Sequence, residues 1–138
     1  MGQQEVVLVS AANAAGEAFV KLLAEKDIPF AALANNRAEL KRMRALGARH
    51  LIMLHTADEK TWVIPQLAVG KIFLFERSLN LCCRYLQICR IWTSKPIYVI
   101  TEHPNPRLVY RGLGANYVIY TASRNYSFLV TDDLAAHS

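Results

Sequence analysis

Long apolar runs are absent from this sequence of 138 residues, although 53% of its residues are hydrophobic. No apolar segment approaches the roughly 18 residues that a membrane-spanning helix requires. The first five residues also lack the basic segment with which a secretory signal peptide begins. We therefore expect a cytoplasmic protein without direct membrane insertion, with enough apolar side chains for one packed core.

Cysteine is scarce, and the three cysteines form no ligand or redox pattern. Cys82, Cys83 and Cys89 lie in one apolar segment, without a Cys-x-x-Cys pair and without a histidine at ligand spacing. Such thiols are typical of buried side chains in a reducing compartment. We predict no metal site.

Signatures of several enzyme classes are missing as well. The sequence has no nucleophile elbow and no metal-spaced carboxylates, and no lysine follows Tyr85 or Tyr110 by four residues, as a short-chain dehydrogenase would require. Ser10-Ala11 and His55-Thr56 stand where a phosphorylated receiver domain needs acidic residues. These absences predict that the chain is not an enzyme.

Basic residues exceed acidic ones, giving a formal net charge of +5. Many of them cluster in two predicted helices, where a solvated helix face explains them, and no nucleic-acid motif or aromatic stacking platform accompanies them. We expect no nucleic-acid partner. The clustered basic residues are Arg37, Lys41, Arg42, Arg44 and Arg49, with Arg84 and Arg90 in the second group.

Short apolar segments rich in Val, Ile and Leu alternate with helical segments along the chain, which is typical of strands covered on both faces. Strands are predicted at Val6–Val9, Phe30–Ala34, Leu51–Leu54, Ile72–Phe75, Ile97–Ile100 and Tyr117–Tyr120. Helices are predicted at Gly16–Lys26, Arg37–Leu46, Asn80–Trp92 and Arg107–Leu113, with a weak turn near Asp58–Leu67. The pattern predicts a doubly wound, Rossmann-like α/β domain with a six-stranded parallel sheet in the order 3-2-1-4-5-6.

The turn after the first strand contains little glycine. Rossmann domains place glycines there so that a pyrophosphate can approach the helix N-terminus, but in the segment 10–16 only Gly16 is a glycine. A ligand is expected at the carboxyl ends of the strands, near the switch point between strands 1 and 4. His55, His103 and Glu76 are placed at the same edge, more plausibly as loop polar groups than as an acid–base pair.

Several motifs further along resemble, in order and spacing, those of the RCK (regulator of potassium conductance, or KTN) domains of potassium channels and transporters. The resemblance is to the N-terminal, nucleotide-binding half of these domains, which is TrkA-N-like. The segment 47–59 resembles the third strand of that family and the loop after it. Leu79-Asn80-Leu81 matches the helix start after strand 4, and Asn105–Leu108 with Leu113–Ile119 matches the family's ending. The resemblance covers almost the whole chain.

The family's glycine motif is altered in this sequence. Its Gly-x-Gly-x-x-Gly pattern falls on Ser10, Ala12 and Ala15, which replaces all three glycines. In an alternative alignment, the Gly-x-x-Gly-x-x-Gly pattern falls on Ser10, Asn13 and Gly16 and keeps one. Alanine places a methyl group where a phosphate approaches and disfavours a positive φ. Asn13 is interpreted first as a helix cap.

The family's ribose-binding acid at the end of strand 2 falls on Ala34, and its neighbours Asn35 and Asn36 are neutral. Losing a charge-assisted hydrogen bond costs roughly 1.5–3 kcal/mol. Tight NAD binding in the family's manner is therefore not expected, and the ligand is left open between NAD(H) and an adenine nucleotide. The residues placed at this candidate cofactor site are Ser10, Ala12, Asn13, Gly16, Asn35, Asn36, His55 and Glu76.

The resemblance implies a regulatory ligand-sensing or oligomerisation module with a degenerate dinucleotide site. It implies a homo-oligomer, associated with a potassium channel or transporter subunit. Two alternatives stay open: an NAD(P)-binding oxidoreductase-like domain of atypical short-chain type, and a protein-binding scaffold without a small ligand. We expect one domain over residues 1–121 and a tail over 122–138. Apolar residues proposed for an interface are Ile91, Trp92, Tyr120, Tyr126 and Phe128.

Overall fold

The computed structural model describes residues 5–54, 68–103, 106–120 and 127–129. Six strands alternate with helices. The strands are β1 (Glu5–Ala11), β2 (Phe30–Ala34), β3 (His50–Met53), β4 (Ala68–Phe75), β5 (Ile97–Thr101) and β6 (Tyr117–Tyr120). The helices are α1 (Ala14–Glu25), α2 (Arg37–Ala45), α3 (Leu79–Trp92) and α4 (Arg107–Gly112). A short 3-10 helix covers Ser127–Leu129.

The six strands form one parallel sheet in the order β3-β2-β1-β4-β5-β6, which confirms the predicted fold. The strand order reverses between β1 and β4, so their carboxyl ends flank the crevice in which ligands of such sheets bind. At this crevice, Ala11 at the end of β1 pairs with Phe75 at the end of β4.

Two apolar layers cover the sheet, one on each face, as predicted for strands buried on both sides. Helices α1 and α2 cover one face, on which Phe19 and Leu23 pack against Phe73 and Phe75. Helices α3 and α4 cover the other face, to whose apolar layer they contribute the buried side chains of Leu86 and Tyr110. Both faces of the sheet are therefore covered by helices, and the crevice lies at the carboxyl ends of its strands.

Several element ends differ from the predicted ones, most of them by one or two residues, and the starts of α1 and β4 are the two differences that bear on the site. Helix α1 begins at Ala14, two residues before Gly16, because Asn13 caps it. Strand β4 begins at Ala68, four residues before the predicted Ile72, because Ala68 and Val69 pair with the start of β1. The weak turn predicted near Asp58–Leu67 lies outside the described residues.

The predicted solvated basic face holds for the exposed residues of α2, but Arg90 departs from it. The Arg90 guanidinium donates to the carbonyl oxygens of Gly114, Thr93 and Lys95 and to Oδ1 of Asn116, at 2.7–2.9 Å. It therefore ties the end of α3 to the segments that precede β5 and β6. No helix in the described part of the chain is long and apolar enough to cross a bilayer.

Within the predicted tail, only residues 127–129 are described. The side chain of Leu129 is buried in the apolar layer shared with α1. The division into a domain over 1–121 and a tail over 122–138 remains a prediction.

Candidate nucleotide site

The turn between β1 and α1 consists of Ala12 and Asn13 alone. Asn13 is the N-cap of α1, and its Oδ1 accepts a hydrogen bond from the backbone N–H of Gly16 at 2.8 Å. Its φ of −143° is ordinary extended backbone, and Asp27 is the non-glycine residue with positive φ in the described part of the chain. The turn therefore needs no glycine for its conformation, and its alanines cause no backbone strain.

Gly16 serves the close approach of the helix to the sheet. A Cβ atom at this position would lie 2.7 Å from the Cα of Ala11 and 3.0 Å from the Phe75 side chain. This is the contact that the third glycine of a Rossmann motif provides. The geometry therefore favours an alignment in which Gly16, and not Ala15, is the third motif position, so that Asn13 lies three residues before it.

A cleft lies at the predicted switch point. It has a volume of about 260 Å³ and is hereafter called the switch-point cleft. Three elements line it: the start of α1, the end of β4 and the end of β5. Its lining residues are Asn13, Ala14, Ala15, Glu76, Arg77, Glu102 and His103.

A hydrogen bond joins two of the residues that line this cleft. The Asn13 side-chain Nδ2 donates to the backbone carbonyl of Glu76 at 2.7 Å, joining residues 63 positions apart. Because Asn13 begins α1 and Glu76 follows β4, the bond spans the two walls of the crevice. It is called the Asn13–Glu76 bridge below.

The Glu76 carboxylate belongs to a buried network. Its Oε1 accepts from the Thr101 hydroxyl at 2.7 Å, and its Oε2 accepts from the Tyr110 hydroxyl. Burial and the bond to Glu76 raise the pKa of Tyr110 above its ordinary value. Burial also raises the pKa of the adjoining Cys82 thiol to about 12. The hydrogen bond between Cys82 and Tyr110 lowers this pKa, but its effect is smaller than that of burial. Glu76 is thus committed to fixing α4 and β5.

Glu39 is a site residue that the sequence interpretation missed. Its Oε2 accepts from the backbone N–H of Asn35 at 2.8 Å, so a carboxylate from α2 lies at the tip of β2. Its Oε1 lies 3.7 Å from Nη1 of Arg77, and the Glu39 side chain is 21% exposed. The signal was present in the Asn36-x-x-Glu39 spacing of a helix cap, but spacing alone does not show that the carboxylate reaches the strand end.

The structure brings together only part of the predicted site. Asn13 and Glu76 line the cleft. Gly16 contacts Asn13 through its backbone N–H without lining the cleft, and Ala12 lies beside Asn13 in the turn. Ser10 is buried within β1 and does not line the cleft. The remaining positions lie at the β2 tip or beyond the described residues.

At the β2 tip, Asn35 donates to Glu39, whereas Asn36 is exposed and caps α2 by accepting from the Glu39 N–H at 2.9 Å. His55 lies outside the described residues. His103 lines the cleft.

The cysteine prediction is confirmed for Cys82 and Cys89, which are buried thiols, while Cys83 is half-buried. Burial raises the pKa of all three thiols. Within the described ranges, no three His, Cys, Asp or Glu side chains are grouped as a metal site would require.

No protein-family model and no curated protein matches the chain. Solved structures do. The TrkA-N domain of the inner membrane protein ybaL from Escherichia coli matches with a TM-score of 0.67 at 16% identity, over 86% of this chain and 88% of that one. The NAD(P)-binding domain of an exopolyphosphatase-related protein from Archaeoglobus fulgidus matches with a TM-score of 0.67 at 17% identity, over 87% and 90%.

The GsuK channel bound to NAD matches with a TM-score of 0.69 at 13% identity, over 85% of this chain and 21% of the channel chain. At such identities the comparisons establish the fold. The chain has a Rossmann-like fold of the TrkA-N type, as its motifs predicted.

Proposed function

We propose that the chain is a regulatory nucleotide-sensing module that acts on a membrane transport protein and is not itself an enzyme. Its fold is shared with a domain of an inner membrane protein and with part of a channel that is bound to NAD. The motif resemblance specifies the partner as a potassium channel or transporter subunit, and the location as the cytoplasm.

The observation that carries this proposal is the switch-point cleft. Ala14 and Ala15 at the N-terminus of α1 line it, and so does Arg77, whose guanidinium lies beside the Glu39 carboxylate. A helix N-terminus and an arginine attract phosphate, and a carboxylate accepts hydrogen bonds from ribose hydroxyls. The residues therefore suit a nucleotide.

The fit to a whole dinucleotide is incomplete. Gly16 allows α1 to approach the sheet as in dinucleotide-binding turns, and Glu39 supplies the acid that strand 2 lacks. However, the Asn13–Glu76 bridge joins the start of α1 to the end of β4 at the switch point, where the general rule for such sheets places the ligand, and we propose that a dinucleotide crossing this point competes with it. The cleft of about 260 Å³ is also slightly below the roughly 300–1,000 Å³ of typical ligand pockets. We propose weak binding of an adenine nucleotide, with NAD(H) as the poorer ligand.

A regulatory function suits the cleft better than catalysis. Both carboxylate oxygens of Glu76 are engaged by Thr101 and Tyr110, which argues against the alternative of a His–Glu acid–base pair. The Cys82 thiol, with a pKa of about 12, is protonated at neutral pH and a poor nucleophile.

The module is proposed to act as a homo-oligomer. Ile91 and Tyr120 are exposed, as an interface would require, and β6 and α4 add the exposed side chains of Tyr117 and Leu108. Trp92 is buried in the core and does not belong to this surface, and Tyr126 lies outside the described residues. Exposed apolar side chains of this kind mark sites of protein association when they are contiguous.

Native mass spectrometry of the freshly purified chain tests this function. We expect an oligomer without a resident nucleotide, which acquires a nucleotide adduct when AMP is added in excess. An oligomer that acquires no adduct with AMP, ATP, NAD+ or NADH would support the scaffold alternative instead. A monomer that is insensitive to these nucleotides would contradict the proposal altogether.

A further inference from the structure

Asn13 differs from the other side-chain helix caps of this protein. Asn36 and Ser78 cap α2 and α3 by accepting one local hydrogen bond each. Asn13 accepts the equivalent bond from Gly16 and, in addition, uses its amide N–H to reach the Glu76 carbonyl in another part of the sheet. A capping residue needs only the oxygen, so the second bond has a separate consequence.

That consequence follows from where the bond lies. It connects the start of α1 with the end of β4, across the point at which the strand order reverses. The far wall cannot move away easily, because the Glu76 side chain is held by Thr101 and Tyr110. A ligand that extends across the crevice must therefore break the bridge.

The two sides of the bridge are not equivalent. On the side of β1 and β2 lie the start of α1, the Glu39 carboxylate and, beside that carboxylate, the Arg77 guanidinium. These groups suit one ribose and one phosphate. On the side of β5, the cleft is lined by Glu102 and His103, and the Glu102 carboxylate disfavours a second phosphate there.

We infer that Asn13 is a specificity-determining residue, which restricts the cleft to mononucleotides by bonding across the path of a dinucleotide. The inference rests on the proposed function and adds the ligand class. A mononucleotide placed between α1 and Glu39 leaves the bridge intact. A dinucleotide loses one protein hydrogen bond on binding, which weakens its affinity by about threefold to tenfold.

The test compares the binding of AMP and NAD+ to the full chain by isothermal titration calorimetry. Asn13→Ser keeps a capping oxygen and removes the amide that forms the bridge, and Asn13→Gly costs only a few tenths of a kcal/mol as a cap. Ser78→Gly is the matched control for Asn13→Gly, since it removes the capping side chain of α3, which does not line the cleft. Melting temperatures verify that every variant is folded.

We expect the wild-type chain to bind AMP more tightly than NAD+. Both Asn13 variants should tighten NAD+ binding about threefold to tenfold while changing AMP binding less than about twofold, and Ser78→Gly should leave the ratio of the two affinities unchanged. An unchanged ratio in the Asn13 variants, with both nucleotides still bound, would overturn the inference and leave the proposed function standing. Binding of neither nucleotide by any variant would overturn both.

The bridge can also be observed without a ligand. In the wild-type chain, the side-chain amide protons of Asn13 should exchange with solvent more slowly than those of the exposed Asn36 in NMR spectra. Equal exchange rates would show that the bridge is not maintained in solution, and would overturn the inference independently of any binding result.

Discussion

Gly16 lies where the first turn of α1 passes over the ends of β1 and β4, and this contact explains the glycine at this position. The neighbouring alanines line the cleft or the core without requiring a special backbone conformation. The single glycine therefore indicates close packing of the helix on the sheet and does not by itself indicate a bound phosphate.

Gly16→Ala should destabilise the protein by about 1–3 kcal/mol, because the new methyl group meets the Ala11 backbone, which cannot move aside. Gly112→Ala in α4 is the control, since its methyl group would meet nothing within 4 Å. Urea unfolding followed by circular dichroism measures both. Equal effects of the two substitutions would contradict the assigned contact.

Two buried tyrosines provide a second comparison at the level of single residues. Tyr110→Phe removes a donor to the Glu76 carboxylate and should lower the free energy of unfolding by about 1–3 kcal/mol. The hydroxyl of Tyr85 is buried without a hydrogen-bond partner in the described part of the protein. Tyr85→Phe should therefore be neutral or slightly stabilising. A larger loss for Tyr85→Phe in denaturant unfolding would be inconsistent with the described network.

At the level of elements, α3 is anchored through its last turn. Arg90→Met should lower the free energy of unfolding by about 1.5–3 kcal/mol, because the guanidinium donates to three carbonyl groups and Asn116. Arg84→Met on the same helix removes an exposed side chain and should change it by less than about 0.5 kcal/mol. Thermal unfolding of both variants measures the difference, and a similar loss in both would refute the anchoring function of Arg90.

Element identities were predictable because local signals agree with the tertiary environment. The apolar run Ile72–Phe75 and the Asn36 cap each identify an element without knowledge of its neighbours. The first residues of β4 were not predictable, since Ala68 and Val69 become strand only by pairing with Glu5 and Val6. Ala68 has a low strand propensity, and Gly70 and Lys71, which are also depleted in strands, separate Val69 from the apolar run Ile72–Phe75.

The candidate site was predictable in position but not in detail. The order of strands places it between β1 and β4, where the cleft lies. The bridge joins residues 63 positions apart, and the Glu39 carboxylate reaches another element, so both depend on distances that only the folded chain defines. Ser10 was assigned to the site from motif alignment, although its position within β1 buries it.

For the molecule as a whole, the buried thiols imply a loss of stability at alkaline pH. Burial raises the pKa of Cys82 from 9.0 to about 12, and raises that of Cys89 as well. The thiols therefore lose their protons at a lower pH in the unfolded chain than in the folded chain. Their contribution to the free energy of unfolding is fully present below pH 9 and is lost between pH 9 and 12. Urea midpoints should be constant from pH 7 to about 8 and should decrease from about pH 9 upward. A constant midpoint up to pH 11 would contradict the burial of these thiols.

For the molecule as a whole, we propose that the crevice at the switch point of the sheet is the nucleotide site of this protein. An NMR titration of the 15N-labelled full chain with AMP tests it most directly, because it detects weak binding and locates it. We predict chemical-shift changes at the start of α1, at Asn35 and Glu39, and at Glu76 and Arg77. Shifts confined to other surfaces, or no shifts at saturating AMP, would contradict the claim.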